Sequence, residues 1–226
     1  MAHRKKGFTY ENDWTLDEMN KVLDTLESGI IVPVNTEIKA DQKILNYDNV
    51  KKYITNATKI AVLDCDCRAK KKHCDAPLGV CMVFDGSAER ILSSEKYVPL
   101  HPFEIDAKKA LGVLKMASES GLVHIAYVGK NDKGKVETIC SCCSCCCENL
   151  GATLRYGLAP HLYKASATTS TDLSSCTACG VCTNRCHFGA REVVNDSLVY
   201  NPNMCYGCGL CVSTCPSNAI SLIQLS

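Results

Sequence analysis

Two cysteine runs near the end of the chain constrain it more than any other feature. The first reads Cys176-Thr-Ala-Cys179-Gly-Val-Cys182-Thr-Asn-Arg-Cys186 and the second Cys205-Tyr-Gly-Cys208-Gly-Leu-Cys211-Val-Ser-Thr-Cys215, one C-x-x-C-x-x-C-x-x-x-C spacing repeated at an offset of 29 residues. Three closely spaced thiolates per run suit neighbouring corners of an iron–sulfur cube. Zinc also takes C-x-x-C pairs, but it needs two pairs per tetrahedral site and has no use for a third cysteine in register. Gly180 and Gly209 follow the second cysteine of each run, where a residue without Cβ lets the backbone wrap closely. After the last cysteine the runs differ, with His187 in the first and Pro216 in the second. An imidazole at that point is a candidate for tuning a cluster's potential or for responding to pH.

This spacing resembles the ligand run of bacterial-type two-cluster ferredoxins, over residues 173–225. The resemblance implies two 4Fe-4S clusters that exchange their fourth ligands: Cys176, Cys179, Cys182 and Cys215 hold one, and Cys205, Cys208, Cys211 and Cys186 hold the other.

Ten more cysteines precede these runs. Cys65 and Cys67 close an apolar, β-branched stretch that reads as a buried strand, and strand alternation would set both on one face. Cys74 and Cys81 bracket the turn-rich Asp75-Ala-Pro-Leu-Gly-Val80, and the intervening Arg68-Ala-Lys-Lys-Lys72 reads first as a solvated loop and second as cations placed near an anionic cluster. Cys140, Cys142, Cys143, Cys145, Cys146 and Cys147 fall within eight residues. In a reducing cell so many adjacent thiols are an oxidation hazard unless metal caps them. All ten are therefore candidate metal ligands, forming at least one further iron–sulfur cluster. Four of them, Cys65, Cys67, Cys74 and Cys81, would complete one cubane alone; ten would fit two cubanes with two spare, or one larger cluster. Either of the latter brings the end of the Cys65 strand beside Cys140.

The C-x-C-R at Cys65–Arg68, the C-D-A-P-L-G-V-C at Cys74–Cys81, the G-L-V-H at Gly121–His124 and the cysteine-rich turn together are similar to multi-cluster 4Fe-4S ferredoxin-domain proteins of anaerobic prokaryotes. The adjacent cysteine pairs also resemble those of heterodisulfide reductase catalytic subunits, which hold noncubane clusters, although the paired long-spaced repeats of that family are missing.

The remaining pattern predicts an α+β protein. A capping box at Thr15–Glu18 opens an amphipathic helix running toward Gly29, and residues 30–34 read as an extended connection or edge strand broken by Pro33. Further helices are expected over Asp48–Asn56 and Phe103–Ser120. Residues 122–128 and 135–140 then flank Asn131-Asp-Lys-Gly134 as a hairpin. That register sets Cys140 opposite Ile125, and His124 near the hairpin's open end, where it reads as a core or edge histidine or, alternatively, as a ligand or proton donor. Residues 150–164 look irregular. The expected domains are a larger α/β domain with a helix–hairpin unit over 1–164, a Ser/Thr-rich linker over 165–175 and a small ferredoxin-like domain over 176–226.

A formal charge of +1 calls for neither nucleic acid nor an anionic membrane. Residues 1–10 lack an apolar signal core, and no apolar run approaches the roughly 20 residues of a membrane helix. Eighteen cysteines therefore point to a reducing, cytoplasmic and low-oxygen setting rather than a disulfide scaffold. No G-x-G-x-x-G or P-loop suggests a nucleotide cofactor. The leading expectation is an electron carrier or electron-entry subunit that serves a redox partner protein. An oxidoreductase with an open coordination position in the ten-cysteine site is the alternative, and a redox-sensing DNA-binding protein built on the helix and hairpin is a third class.

Overall fold

Thr15 opens α1 (Leu16–Leu23) with the reciprocal bonds of a capping box: Glu18 N–H donates to Thr15 Oγ1 at 3.2 Å, and Thr15 N–H donates to Glu18 Oε2 at 2.8 Å. The computed structural model describes residues 10–23, 28–33, 47–128, 135–157 and 162–225. The hairpin turn expected at 131–134 lies outside them. The chain continues through β1 (Ser28–Val32), α2 (Tyr47–Asn56), β2 (Ile60–Asp64), α3 (Asp66–Lys71), β3 (Gly79–Phe84) and α4 (Asp85–Ser93). A 3-10 turn at Glu95–Leu100 leads to β4 (Phe103–Ile105), α5 (Ala107–Glu119), β5 (Val123–Val128), β6 (Val136–Cys142), α6 (Glu148–Tyr156) and β7 (Leu162–Tyr163).

These strands make one seven-stranded sheet in the order β4-β2-β3-β6-β5-β1-β7, antiparallel except where β1 meets β7. One face is covered by α2 and α5, with Val50, Ile54, Ala110 and Leu114 packed on Val62, Met82, Ala126 and Ile139. Toward one edge of the opposite face, Ala88 and Ile91 of α4 pack on Ala61, Leu63 and Val83.

After the sheet come β8 (Ala167–Thr171), α7 (Val181–Arg185), β9 (Arg191–Val194), β10 (Ser197–Tyr200), α8 (Leu210–Ser213) and β11 (Ile220–Gln224), paired as the ribbons β9–β10 and β8–β11. The molecule is α+β: a large sheet with helices, then a small ferredoxin-like region of two short ribbons.

Several local expectations are corrected. Segment 165–175 supplies β8, because β11 offers an unpaired edge that its alternating Thr and Ser residues can join. Far from being an edge, β1 is paired on both sides, and Pro33 falls just past its end where no ladder bond is needed. Phe103–Ile105 is a strand, and the helix after it starts only when Asp106 caps it by accepting a bond from Lys109 N–H at 2.7 Å. Residues 148–156 are helical rather than irregular, since the Cys147 thiol caps α6 by accepting from Leu150 N–H at 3.4 Å and Gly157 closes the helix at φ 68.

Candidate metal centres

In the ferredoxin-like region each cysteine run makes a tight loop and then a helical turn. Gly180 (φ 74) and Gly209 (φ 75) sit at the starts of α7 and α8 in the left-handed conformation that lets each loop reverse. One cavity is lined by Cys186, Cys205, Cys208 and Cys211, together with Phe188, Tyr206 and Leu210. A second is lined by Cys176, Cys179, Cys182 and Cys215, with Leu198, Pro216 and Ile220. Each thus gathers three cysteines of one run and the last of the other, four thiols in an apolar wall, which fits the donor set of a 4Fe-4S cube. Backbone N–H groups also aim at sulfur: Ala190 donates to Cys186 Sγ and Gly207 to Cys205 Sγ, each at 3.4 Å. Between the two cavities stands Arg191, buried, donating to Thr171 Oγ1 at 2.8 Å and Thr169 Oγ1 at 2.7 Å; its charge acts on Cys182 of one set and Cys211 of the other. Cys179 is the one exposed thiol of the eight, so the Cys176–Cys215 set has a ligand at the surface.

The ten earlier cysteines also come together, though not as strand alternation suggests. Strand β2 stops at Asp64; Cys65 becomes the residue before α3, and Cys67 sits in that helix's first turn. The thiols of Cys74, Cys143, Cys145 and Cys146 lie within 4.8 Å of one another, with Cys74 3.7 Å from Cys143 and 3.9 Å from Cys146. Four sulfurs at that spacing are a metal-binding constellation whose soft donors suit iron–sulfur clusters or zinc. Thiol donors at Cys145, Cys146 and Cys74 hold Cys143 well below the usual thiol range, against the effect of burial. Cys74 is lowered to about 6: Cys143 pushes it up, but Cys145 and Cys146 outweigh it. Hydrogen bonding to Cys143 pushes Cys145 and Cys146 up in turn, so the thiolate character of the four is concentrated on Cys143 and Cys74.

Backbone anchors hold this turn. Trp14 Nε1 donates to the Cys146 carbonyl at 2.8 Å, His73 Nδ1 to that of Cys145 at 2.8 Å, and Arg155 Nη2 to those of Ser144 and Cys145 at 3.1 and 3.3 Å. Arg68 is buried to 2% exposure and donates to Pro77 O at 2.7 Å, Ser141 O at 3.0 Å and Cys143 Sγ at 3.6 Å. The basic run is thus a helix with one arginine turned inward, and no solvated loop. Nothing in the spacing marks Trp14, Arg155 or Arg191; Arg68 alone had a sequence signal, as the residue after C-x-C.

The other six N-terminal cysteines also gather: Cys81 and Cys140 lie one step beyond the Met82–Ile139 pair of the β3–β6 ladder, Cys142 and Cys147 share one buried cluster with Cys140 packed against it, and Cys67 and Cys81 pack with Cys65 in another. The β5–β6 register does pair Ile125 with Cys140. His124, paired with Ser141, is buried with Nδ1 2.9 Å from Ser141 Oγ; it is a core histidine, and no thiol is bonded to it.

His187 links the two regions. Its Nε2 donates to the Gly121 carbonyl at 2.7 Å, which leaves Nδ1 to accept from Ser144 Oγ at 3.0 Å and Ser144 N–H at 3.4 Å. Ser144 lies between Cys143 and Cys145, and His187 directly follows Cys186. Among the described residues no helix is long and apolar enough to cross a membrane.

No curated protein matches the chain. Residues 198–221, which include Cys205, Cys208, Cys211 and Cys215, match the family described as 4Fe-4S binding domain. With the four-thiol constellation beside that likeness, the chain carries a 4Fe-4S binding domain at residues 198–221, with a place for at least one 4Fe-4S cluster, and cysteine groups that suggest further iron–sulfur sites.

Proposed function

We propose that the protein is an electron carrier in which two ferredoxin-type cubanes exchange electrons with a cluster on Cys74, Cys143, Cys145 and Cys146. The observation that carries this reading is the His187–Ser144 hydrogen bond, which ties the residue after a ferredoxin ligand to the turn that bears three of those four thiols. Electrons would enter at the cluster of Cys176, Cys179, Cys182 and Cys215, which has an exposed ligand and so suits docking of a redox partner protein. They would pass to the cluster of Cys186, Cys205, Cys208 and Cys211, and then across His187 and Ser144. The buried Arg191 and Arg68 offset the negative charge that thiolate-ligated clusters accumulate. A reducing, low-oxygen cytoplasm is the setting such exposed thiolate chemistry requires.

The test is anaerobic loading of the full chain with iron and sulfide, then stepwise reduction followed by electron paramagnetic resonance. The expected result is roughly eight irons in the two ferredoxin cubanes plus further iron N-terminally, with electrons shared among the sites, and a slower sharing in His187→Ala at unchanged iron content. Zinc as the preferred metal, or an N-terminal site that stays oxidised while the ferredoxin clusters reduce at comparable potential, overturns the reading.

A further inference from the structure

We propose that Cys65, Cys67, Cys81, Cys140, Cys142 and Cys147 form a second N-terminal iron–sulfur site, distinct from the Cys74–Cys143–Cys145–Cys146 site, which takes an assembly of more than four irons. This rests on the reading of the chain as an iron–sulfur protein.

Fold geometry builds the site. Met82 pairs with Ile139, and one step along the same ladder puts Cys81 opposite Cys140; Cys140 and Cys142, two apart on β6, share that face. The partner of Cys81 across β2 is Leu63, so the chain emerging from β2 delivers Cys65 to its side. Cys67 in the first turn of α3 and Cys147 at the start of α6 close the circuit. Cys140, Cys142 and Cys147 thus belong to one packed cluster and Cys65, Cys67 and Cys81 to its neighbour, the two joined where Cys81 faces Cys140 across the ladder.

Packing does not account for this. A cysteine that serves as a small apolar residue packs on carbon, as Cys142 and Cys147 do in part, but that role does not call for Cys81 and Cys140 to face each other across the ladder or for six thiols, all free of disulfides, in two adjoining clusters. Six thiolates exceed the four that saturate a 4Fe-4S cube or a tetrahedral zinc. The two surplus donors are used only if the metal core has more than four irons.

Arg68 gives an independent argument for two separate sites. Its guanidinium is buried with no carboxylate partner among the described residues. A buried cation without a counter-charge is strongly disfavoured, so nearby sulfur is the group available to supply one. Cys143 Sγ of the four-thiol set takes one of the Arg68 hydrogen bonds at 3.6 Å, and the carbonyl of Ser141, which stands between Cys140 and Cys142 of the six-thiol set, takes another at 3.0 Å. Arg191 holds the same place between the two ferredoxin cavities.

The test loads the full chain anaerobically with ferrous iron and sulfide and counts iron and acid-labile sulfide beside the paramagnetic spectrum, for the parent, Cys142→Ser, Cys145→Ser and the double variant. Cys145→Ser is expected to lose about four irons, and Cys142→Ser more than four, each with different spectral features, and the double variant the sum. Loss of the same irons by both single variants, loss by neither, or four or fewer lost from Cys142→Ser overturns the proposal. Cys67→Ser, at a half-buried helical position outside the strands, must repeat the Cys142→Ser result; failure to do so counts equally against it. The ferredoxin signals are the internal control: their absence from the parent protein defeats the electron-carrier reading, whereas their presence without the six-thiol irons defeats only this inference.

Discussion

His124 shows how one buried side chain ties the sheet's stability to pH. Burial pushes its imidazole down to about 4 from an ordinary value of 6.5. The unfolded chain therefore takes up a proton before the folded one does. The stability from the neutral ring is fully present above 6.5 and is lost as pH falls from there toward 4, a total on the order of 3 kcal/mol. Urea unfolding of the parent and His124→Gln between pH 7 and 4 should show their stability difference drifting by that amount in favour of the variant. A constant difference would mean that His124 titrates normally. At this scale Arg68 and Trp14 carry the same lesson: what each does depends on which carbonyl or sulfur the fold sets before it, and no neighbour in sequence reveals that.

Among the elements, the two cysteine loops invite a comparison of glycines. Gly180 and Gly207 both have left-handed backbones, at φ 74 and 70, but a Cβ on Gly180 meets nothing within 4 Å, while one on Gly207 falls 2.2 Å from the Ala167 carbonyl oxygen. The place equivalent to Gly207 in the first run is held by Ala178 at φ 50, so the conformation by itself admits a methyl group. Gly180→Ala should cost about 1–2 kcal/mol of backbone strain and keep all iron. Gly207→Ala should displace β8 from the Cys205–Cys211 loop and lose roughly the four irons of that cluster. Iron content and the thermal midpoint of the two variants decide the matter, and equal behaviour would refute it. The Ala167 contact also explains why 165–175 cannot serve as a loose linker: the strand it forms lies directly on a cluster loop.

Across the whole molecule, the sheet and the ferredoxin-like region share one core. Ile31, Val123, Ile125, Leu150 and Leu162 pack in the same cluster as Ala167, Phe188 and Leu210, with Cys142 and Cys147 among them. Stripping iron with a chelator under anaerobic conditions should therefore lower the thermal midpoint of the entire chain as one transition, since metal bound only by the folded form stabilises everything coupled to it. A ferredoxin region that melts separately, leaving the sheet's transition unmoved, would show the shared core to be energetically idle. From sequence alone, the repeated run determined its spacing, its glycine turns and two local triplets of thiols, because ligands three residues apart need only a local loop to converge; the exchange of the fourth cysteine between the runs was implied by the resemblance to two-cluster ferredoxins, not by spacing. The β5–β6 register was equally legible, since alternation and a turn signal are local. The division of the ten earlier cysteines was not. Cys65, Cys67, Cys74 and Cys81 lie within 17 residues and look like one set. Yet Cys74 leaves with the Cys143–Cys146 turn, while Cys81 comes to face Cys140 across the β3–β6 ladder. Sheet order makes that choice by laying β3 against β6, a pairing of segments about 55 residues apart that no local pattern encodes.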